Sequence, residues 1–340
     1  MTPDISIVIP IYNEEEGLPL LFERLYPALD ALRRSYEVVF VDDGSSDRSV
    51  AQLREQFQKR PDVTRVVVLA RNAGQHLAIL AAFQQTRGTY VITLDADLQN
   101  PPEEIARLVQ AMDAGADYVG TIRLSRHDVL WRKAASRLMN RIREGTTSIR
   151  ITDQGCMLRG YHRNVIDAVN HCTEVSTYVP ALAYTFARHP VEIEVAHADR
   201  AVGQSKYSLY RLIRLNFDLM TGFSVAPLQF FSMAGSLIAL ISLILVVWLL
   251  IRRLIVGPEA EGLFTLFAIA FFLIGVTLMG LGVVGEYVGR IYEQVRQRPR
   301  YTVAAVLEEA APAQLPAPGA ADPRLAAALP HTERVPGTPE

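Results

Sequence analysis

Cysteine is nearly missing from this sequence. Cys156 and Cys172 are the only two, too few for a disulfide framework and without the paired spacing of a zinc site. A reducing compartment is the simplest expectation. An excess of charge is missing too: Lys plus Arg (34) nearly cancels Asp plus Glu (36), a formal net of -2. The chain therefore lacks the basic surplus by which a protein coats a polyanion, and nucleic acid is not an expected partner. No basic region precedes the short apolar run in Met1 to Pro10, so no cleavable signal peptide is expected and the bulk of the chain is placed in the cytoplasm. What is present is apolar. Half of the 340 residues are hydrophobic and only 21% are charged, which excludes a wholly disordered or collagen-like protein and allows about two domains.

The apolar residues are unevenly spread. No charged side chain occurs from Phe230 to Ile251 or from Leu263 to Val284, two runs of 22 residues. A helix of that length reaches about 33 Å, against about 30 Å for a bilayer core, so a transmembrane hairpin is expected over 230–285. Lys206, Arg211 and Arg214 before it, with Arg290, Arg296, Arg298 and Arg300 after it, outnumber Arg252 and Arg253 in the connector. That bias puts both outer ends in the cytoplasm. Across Tyr207 to Met220, Leu209, Leu212, Ile213 and Met220 share one helical stripe, so residues 206–229 are expected to lie along the headgroups. Residues 286–303 form a juxtamembrane segment, and the Ala- and Pro-rich residues 304–340 read as a flexible tail.

From the start to about Ile122, β-branched runs at Ile5 to Ile9, Val38 to Val41, Arg65 to Leu69, Tyr90 to Leu94 and Tyr118 to Ile122 alternate with helical patterns. The expected fold class is α/β with a mainly parallel, Rossmann-like sheet over 1–205. Asn13 before Glu14-Glu15-Glu16, and Asn100 before Pro101-Pro102-Glu103-Glu104, read as helix caps. In such sheets ligands bind beyond the C-terminal strand ends. Carboxylates collect there: Asp42 and Asp47 after the second strand, Asp95 and Asp97 after the fourth. Two carboxylates at i and i+2 suit a hard divalent cation, Mg²⁺ or Mn²⁺, that shares a diphosphate. Turn and helix capping is the plainer reading of Asp47. A dinucleotide-binding dehydrogenase is excluded: Gly280-Leu281-Gly282-Val283-Val284-Gly285 sits in the second apolar run with no strand before it, where close helix packing explains it.

Together, Pro10-Ile11-Tyr12-Asn13-Glu14, Asp42-Asp43-Gly44-Ser45-Ser46-Asp47 and Asp95-Ala96-Asp97-Leu98-Gln99 resemble family 2 glycosyltransferases with a GT-A fold. Through Arg200-Ala201-Val202-Gly203-Gln204-Ser205-Lys206-Tyr207, the two apolar runs and Gly285-Glu286-Tyr287-Val288-Gly289-Arg290-Ile291-Tyr292, the likeness extends to the polyprenyl-phosphate glycosyltransferases over about residues 3 to 303. Arg71-Asn72-Ala73-Gly74-Gln75-His76, Asp153-Gln154-Gly155-Cys156-Met157-Leu158-Arg159 and Arg296-Gln297-Arg298-Pro299-Arg300-Tyr301 carry it to the branch that handles 4-deoxy-4-formamido-L-arabinose. An aromatic is usual in that branch where Ala73 and Gln154 stand, so glucose stays open as the alternative donor.

The resemblance implies inverting transfer of a sugar from a UDP donor to undecaprenyl phosphate in lipid A modification and antibiotic resistance, at the bacterial inner membrane. Pro10, Tyr12, Glu14 and Asp42 would contact the nucleotide, and Asp95 and Asp97 would hold the metal. Asp153 would serve as base or orient the acceptor, Gln99 could position sugar or acceptor, and Arg200 and Lys206 would bind the acceptor phosphate. Arg123, Arg126 and Arg132 read as phosphate contacts or a solvated basic face, His76 as a donor contact or a satisfied structural histidine, and Cys156 as packing. Glu286 is expected to pair with Arg290 as a membrane anchor. Relatives form tetramers, and the stretch Tyr301 to Val303 could contribute a swapped strand. Two readings compete. A processive polysaccharide synthase would carry Gln-x-x-Arg-Trp, which neither Trp131 nor Trp248 supplies; a non-catalytic membrane-tethered nucleotide scaffold would have no need of the aspartates.

Overall fold

The computed structural model describes residues 2–123, 149, 151–172, 178–196, 225–256, 263–296 and 299–309. Arg126, Arg132, Arg200, Lys206 and nearly all of the expected headgroup segment lie outside them.

Eight strands form one sheet. They are β1 (Ile5–Ile11), β2 (Tyr36–Asp42), β3 (Thr64–Leu69), β4 (Tyr90–Thr93), β5 (Tyr118–Arg123), β6 (Arg159–His162), β7 (Pro190–Val195) and β8 (Val303–Leu307), in the order β7-β5-β6-β4-β1-β2-β3-β8. Pairings of β4 with β1, β1 with β2, β2 with β3 and β5 with β7 are parallel; β6 and β8 run antiparallel to their neighbours. The five strands expected from the β-branched runs are all present. The strand β8 crosses the tail boundary expected at residue 304: Thr302 accepts from the Ala70 amide, and Glu308 binds Arg87 at 2.7 Å.

Side-chain alternation makes this a three-layer sandwich, because successive residues of a buried strand point to opposite faces. Ile5, Ile7, Ile9, Val38 and Phe40 pack with α1 (Leu18–Asp30) and α4 (Ile105–Asp113), through Leu21, Leu25, Ile105 and Leu108. Val8, Val39 and Val41 pack on the other face with α3 (Gln75–Phe83), α5 (Arg163–His171) and α6 (Val179–Phe186). A further helix, α2 (Ser49–Lys59), puts Leu53 into the first of these layers.

Neither expected asparagine caps a helix. The first helix begins at Leu18 with Gly17 at its cap position and no side-chain cap. Asn13 instead takes a left-handed φ of 53° and spends its side-chain oxygen on the Ser46 amide at 2.8 Å. Asn100 precedes a 3₁₀ turn, Pro102–Glu104, and its buried oxygen faces the Cys156 thiol at 3.3 Å. In both places a tertiary partner outcompetes the local amide.

Two long apolar helices follow, α7 (Ala226–Val256) and α8 (Leu263–Val295). Among the described residues one stretch, Ile269–Val295, is long and apolar enough to cross a membrane, while Leu228–Ile238 is a shorter apolar stretch. A two-span hairpin is therefore not established by length and composition. The helices touch where the Phe231 ring covers Gly280, and a Cβ there would overlap it. Close packing thus explains Gly280 of the glycine run. Glu286 pairs with Arg290 at 2.8 Å, as the i to i+4 spacing implies.

Candidate active site

The C-terminal ends of β1, β2 and β4 and the loops that follow them hold the acidic motifs. At the end of β2, Asp42 is 1% exposed. Its Oδ2 accepts from the Gly44 and Ser45 amides, each at 3.1 Å, while its buried Oδ1 has no hydrogen-bond partner among the described residues. Asp43 turns away to accept from the Ala73 and Gly74 amides at 2.7 and 2.9 Å, and burial pushes its carboxyl above the usual range. The two loops press so closely that a Cβ on Gly44, at φ +72°, would lie 2.6 Å from the Asn72 nitrogen. Asp43 had no assigned role in the sequence reading; two adjacent aspartates do not reveal which one faces inward.

The loop after β1 is tied to the same wall. Asn13 donates its amide to Ser45 Oγ at 2.9 Å, and the Glu14 amide donates to Ser49 Oγ at 2.9 Å. Asp47 accepts from the Glu15 and Ser49 amides, which is the turn-holding part of the role expected of it, while Arg48 takes the cap position of α2 without a side-chain cap. Pro10 is half-buried within β1, and the Tyr12 side chain stands out, 50% exposed. Pro10, Tyr12, Glu14 and Asp42 thus come from two adjoining strands and their loops.

After β4, exposure alternates: Asp95, Asp97 and Gln99 are half-buried, whereas Ala96, Leu98 and Asn100 are buried. Gln75, at the start of α3, donates its amide to Asp95 Oδ1 at 2.7 Å, and the Gln99 amide reaches Asp97 Oδ1 at 3.2 Å. Leu98 holds a left-handed φ of 59° with its side chain in the core, so packing sustains a conformation that costs a leucine energy. Among the described residues no three His, Cys, Asp or Glu side chains cluster as a metal cage. Two neighbouring carboxylates still fit a hard cation that takes its remaining oxygens from a phosphate and water.

Asp153 is 4% exposed and meets Arg123, the last residue of β5. The guanidinium donates through Nε to Oδ2 at 2.7 Å and through Nη2 to Oδ1 at 2.8 Å. Beneath them Arg159, wholly buried, donates to the carbonyls of Asp153 (2.6 Å) and Cys156 (3.0 Å) and to the Tyr118 hydroxyl (2.6 Å). Cys156 packs against Thr121 and Asn100, and burial raises its thiol pKa, which suits packing rather than chemistry.

His76 is neutral: burial, and secondarily the charge of Arg159, lower its pKa to about 4. Among the described residues its buried Nδ1 meets no hydrogen-bond partner.

The sequence matches known proteins. The model for glycosyl transferase family 2 covers residues 6–169. An undecaprenyl-phosphate 4-deoxy-4-formamido-L-arabinose transferase from Edwardsiella ictaluri is 51% identical over 305 residues, 89% of this chain and 94% of that one. A protein of the same name from Serratia proteamaculans is 50% identical over 90% of this chain and 94% of its own. Among solved structures, glucosyl-3-phosphoglycerate synthase from Mycobacterium tuberculosis, in complex with Mn²⁺, UDP and phosphoglyceric acid, is 16% identical with a TM-score of 0.46, covering 65% of this chain and 77% of that one. On the strength of half-identity across nine-tenths of its length, the chain belongs to glycosyltransferase family 2, in the branch of the polyprenyl-phosphate glycosyltransferases, and is a glycosyltransferase.

Proposed function

We propose that the protein, through a GT-A catalytic domain, transfers 4-deoxy-4-formamido-L-arabinose from a UDP donor to undecaprenyl phosphate, with inversion, at the cytoplasmic face of the bacterial inner membrane, for lipid A modification. The observation that carries this reading is the convergence of Asp42, the Asp95 and Asp97 pair and the Arg123–Asp153 pair at the strand ends of one sheet, in a chain half-identical to transferases of that name.

The nucleotide would lie against Pro10, Tyr12, Glu14 and Asp42. The unpartnered Asp42 Oδ1 is a buried acceptor suited to the imide N–H of a uracil, and the exposed Tyr12 offers a ring face. Asp95 and Asp97 would hold Mg²⁺ or Mn²⁺, which when bound neutralises charge on the leaving diphosphate. Gln75 holds Asp95 in place for that task.

A phosphate monoester has a second pKa of about 6, so the acceptor is already mostly a dianion at neutral pH and needs little help from a base. Asp153 has both oxygens engaged by Arg123, which makes it a group that aims a cation rather than one that collects a proton. Arg123, with Arg200 and Lys206, would then orient the acceptor phosphate for attack on the face of the sugar opposite the diphosphate. The exposed apolar side chains of α8, among them Phe271, Phe272, Leu278 and Leu281, would be covered by lipid. With α7 they would form the two-span anchor that brings the cleft to headgroup depth, and a tetramer of such anchors is the expected assembly.

The reading is tested with purified full-length protein, undecaprenyl phosphate, a divalent cation and UDP-4-deoxy-4-formamido-L-arabinose or UDP-glucose. Formation of the formamido-pentosyl lipid is expected. Transfer from UDP-glucose alone would move the protein to the bactoprenol glucosyltransferases, and no transfer from any nucleotide sugar would favour the non-catalytic scaffold.

A further inference from the structure

Asp43 is the residue directly after β2, and its buried carboxylate spends both oxygens on one short stretch of main chain. Oδ1 accepts from the Ala73 amide at 2.7 Å and Oδ2 from the Gly74 amide at 2.9 Å. Among the described residues no cation pairs with it, and burial keeps its carboxyl above the usual range in spite of the two amides. What this buried charge secures is the backbone of residues 73 and 74. Gly44, on the same turn, closes on the neighbouring Asn72 from the other side.

That backbone needs securing. Gly74 holds a φ of +96°, which a glycine takes freely, and a Cβ there would meet nothing within 4 Å, so packing does not hold it. Gly74 is also the residue before α3, whose first residue, Gln75, is exposed and donates Nε2 to Asp95 Oδ1 at 2.7 Å. An exposed glutamine gives up several rotors for a bond that water can also make, so the bond is weak unless the main chain already delivers the amide to the carboxylate. Asp43 grips the two residues immediately before Gln75 and so fixes the point from which that side chain starts.

We propose that Asp43 is a positioning residue for the cation and the diphosphate: through Gly74 and Gln75 it sets the orientation of Asp95. The end of β2 then serves the nucleotide with one carboxylate, Asp42, and the metal-binding carboxylates with the next. Groups that hydrogen-bond to a metal ligand govern the affinity of the site as well as its geometry. The inference deepens the proposed function and rests on it, since Asp95 and Asp97 are there the residues that hold the metal.

The test is Mn²⁺ binding to the full-length protein with UDP and no acceptor, read from the paramagnetic resonance signal of free Mn²⁺. Asp43→Asn keeps the side-chain shape but sets an amide group against one of the two N–H donors; Gln75→Ala removes the last link. Each should weaken Mn²⁺ binding about tenfold, and the double variant should bind no more weakly than either single one. Gly74→Ala strains the same link, should weaken Mn²⁺ binding too, and serves if Asp43→Asn is unstable. Gly115→Ala is its control: in the turn after α4, with a φ of +102° and again nothing within 4 Å of a Cβ, it should lower the melting temperature by a similar amount and leave Mn²⁺ binding unchanged. Unchanged Mn²⁺ affinity in either Asp43→Asn or Gln75→Ala, a double variant whose loss is the product of the single losses, or equal losses in Gly74→Ala and Gly115→Ala overturns the role of Asp43 and leaves the proposed function standing. Failure of the wild type to bind Mn²⁺ in the presence of UDP removes the cation from the proposed function and this inference with it.

Discussion

Arg123 grips both carboxylate oxygens of Asp153, at 2.7 and 2.8 Å, in a place where the carboxylate is 4% exposed. A paired fork of this kind is directional as well as strong, and breaking one side leaves the other charge buried and unmatched. The pair therefore acts as a unit.

Asp153→Asn is expected to raise KM for undecaprenyl phosphate about tenfold, Arg123→Met at least as much, and the double variant little more than either alone. Steady-state kinetics at varied acceptor concentration measure this. A fall in kcat at unchanged KM, with a new acidic limb in the pH profile, would instead make Asp153 a base.

Asp97→Ala should lower kcat by about a hundredfold or more without unfolding the protein, because Asp97 is half-buried and its bond to the Gln99 amide is a local one, two residues away. Chelation should silence the wild type, and Mg²⁺ or Mn²⁺ should restore it. Persistence of transfer in excess chelator would remove the metal from the account.

The wall behind the nucleotide depends on Gly44. Its φ of +72° disfavours any side chain, and an added Cβ would sit 2.6 Å from the Asn72 nitrogen. Gly44→Ala should destabilise by about 2 kcal/mol and weaken UDP binding, read by thermal melting and by calorimetric titration of UDP. Gly282→Ala, which meets nothing within 4 Å, should leave melting unchanged, while Gly280→Ala collides with Phe231 and should lower it.

His76 supplies a pH dependence. Its folded pKa, lowered to about 4 by burial and then by Arg159, lies below the ordinary 6.5, so between those values the unfolded chain binds the extra proton. Stability contributed by neutral His76 is complete above about pH 6.5 and is lost as pH falls toward 4, by at most about 3 kcal/mol. His76→Phe should flatten that part of the stability curve; denaturant melts at pH 7 and pH 5 make the comparison.

Much of this was legible in the sequence because it is periodic or local. Alternating β-branched runs specified five parallel-sheet strands, and the i, i+2 spacing of Asp95 and Asp97 placed them side by side. What was not legible depends on distant partners. Asn13 and Asn100 carry the composition of helix caps, yet a serine amide 33 residues away and a cysteine 56 residues away take their side chains. Residues 304–307 read as the start of a loose tail because so short an apolar stretch does not announce the β3 edge that Val303–Leu307 completes.

The most direct measurement is mass analysis of the lipid product made by full-length protein from undecaprenyl phosphate and UDP-4-deoxy-4-formamido-L-arabinose, with Asp97→Ala run beside it. The account predicts one formamido-pentosyl phospholipid from the wild type and none above background from the variant. An unmodified lipid in both reactions, or equal product in both, would contradict it.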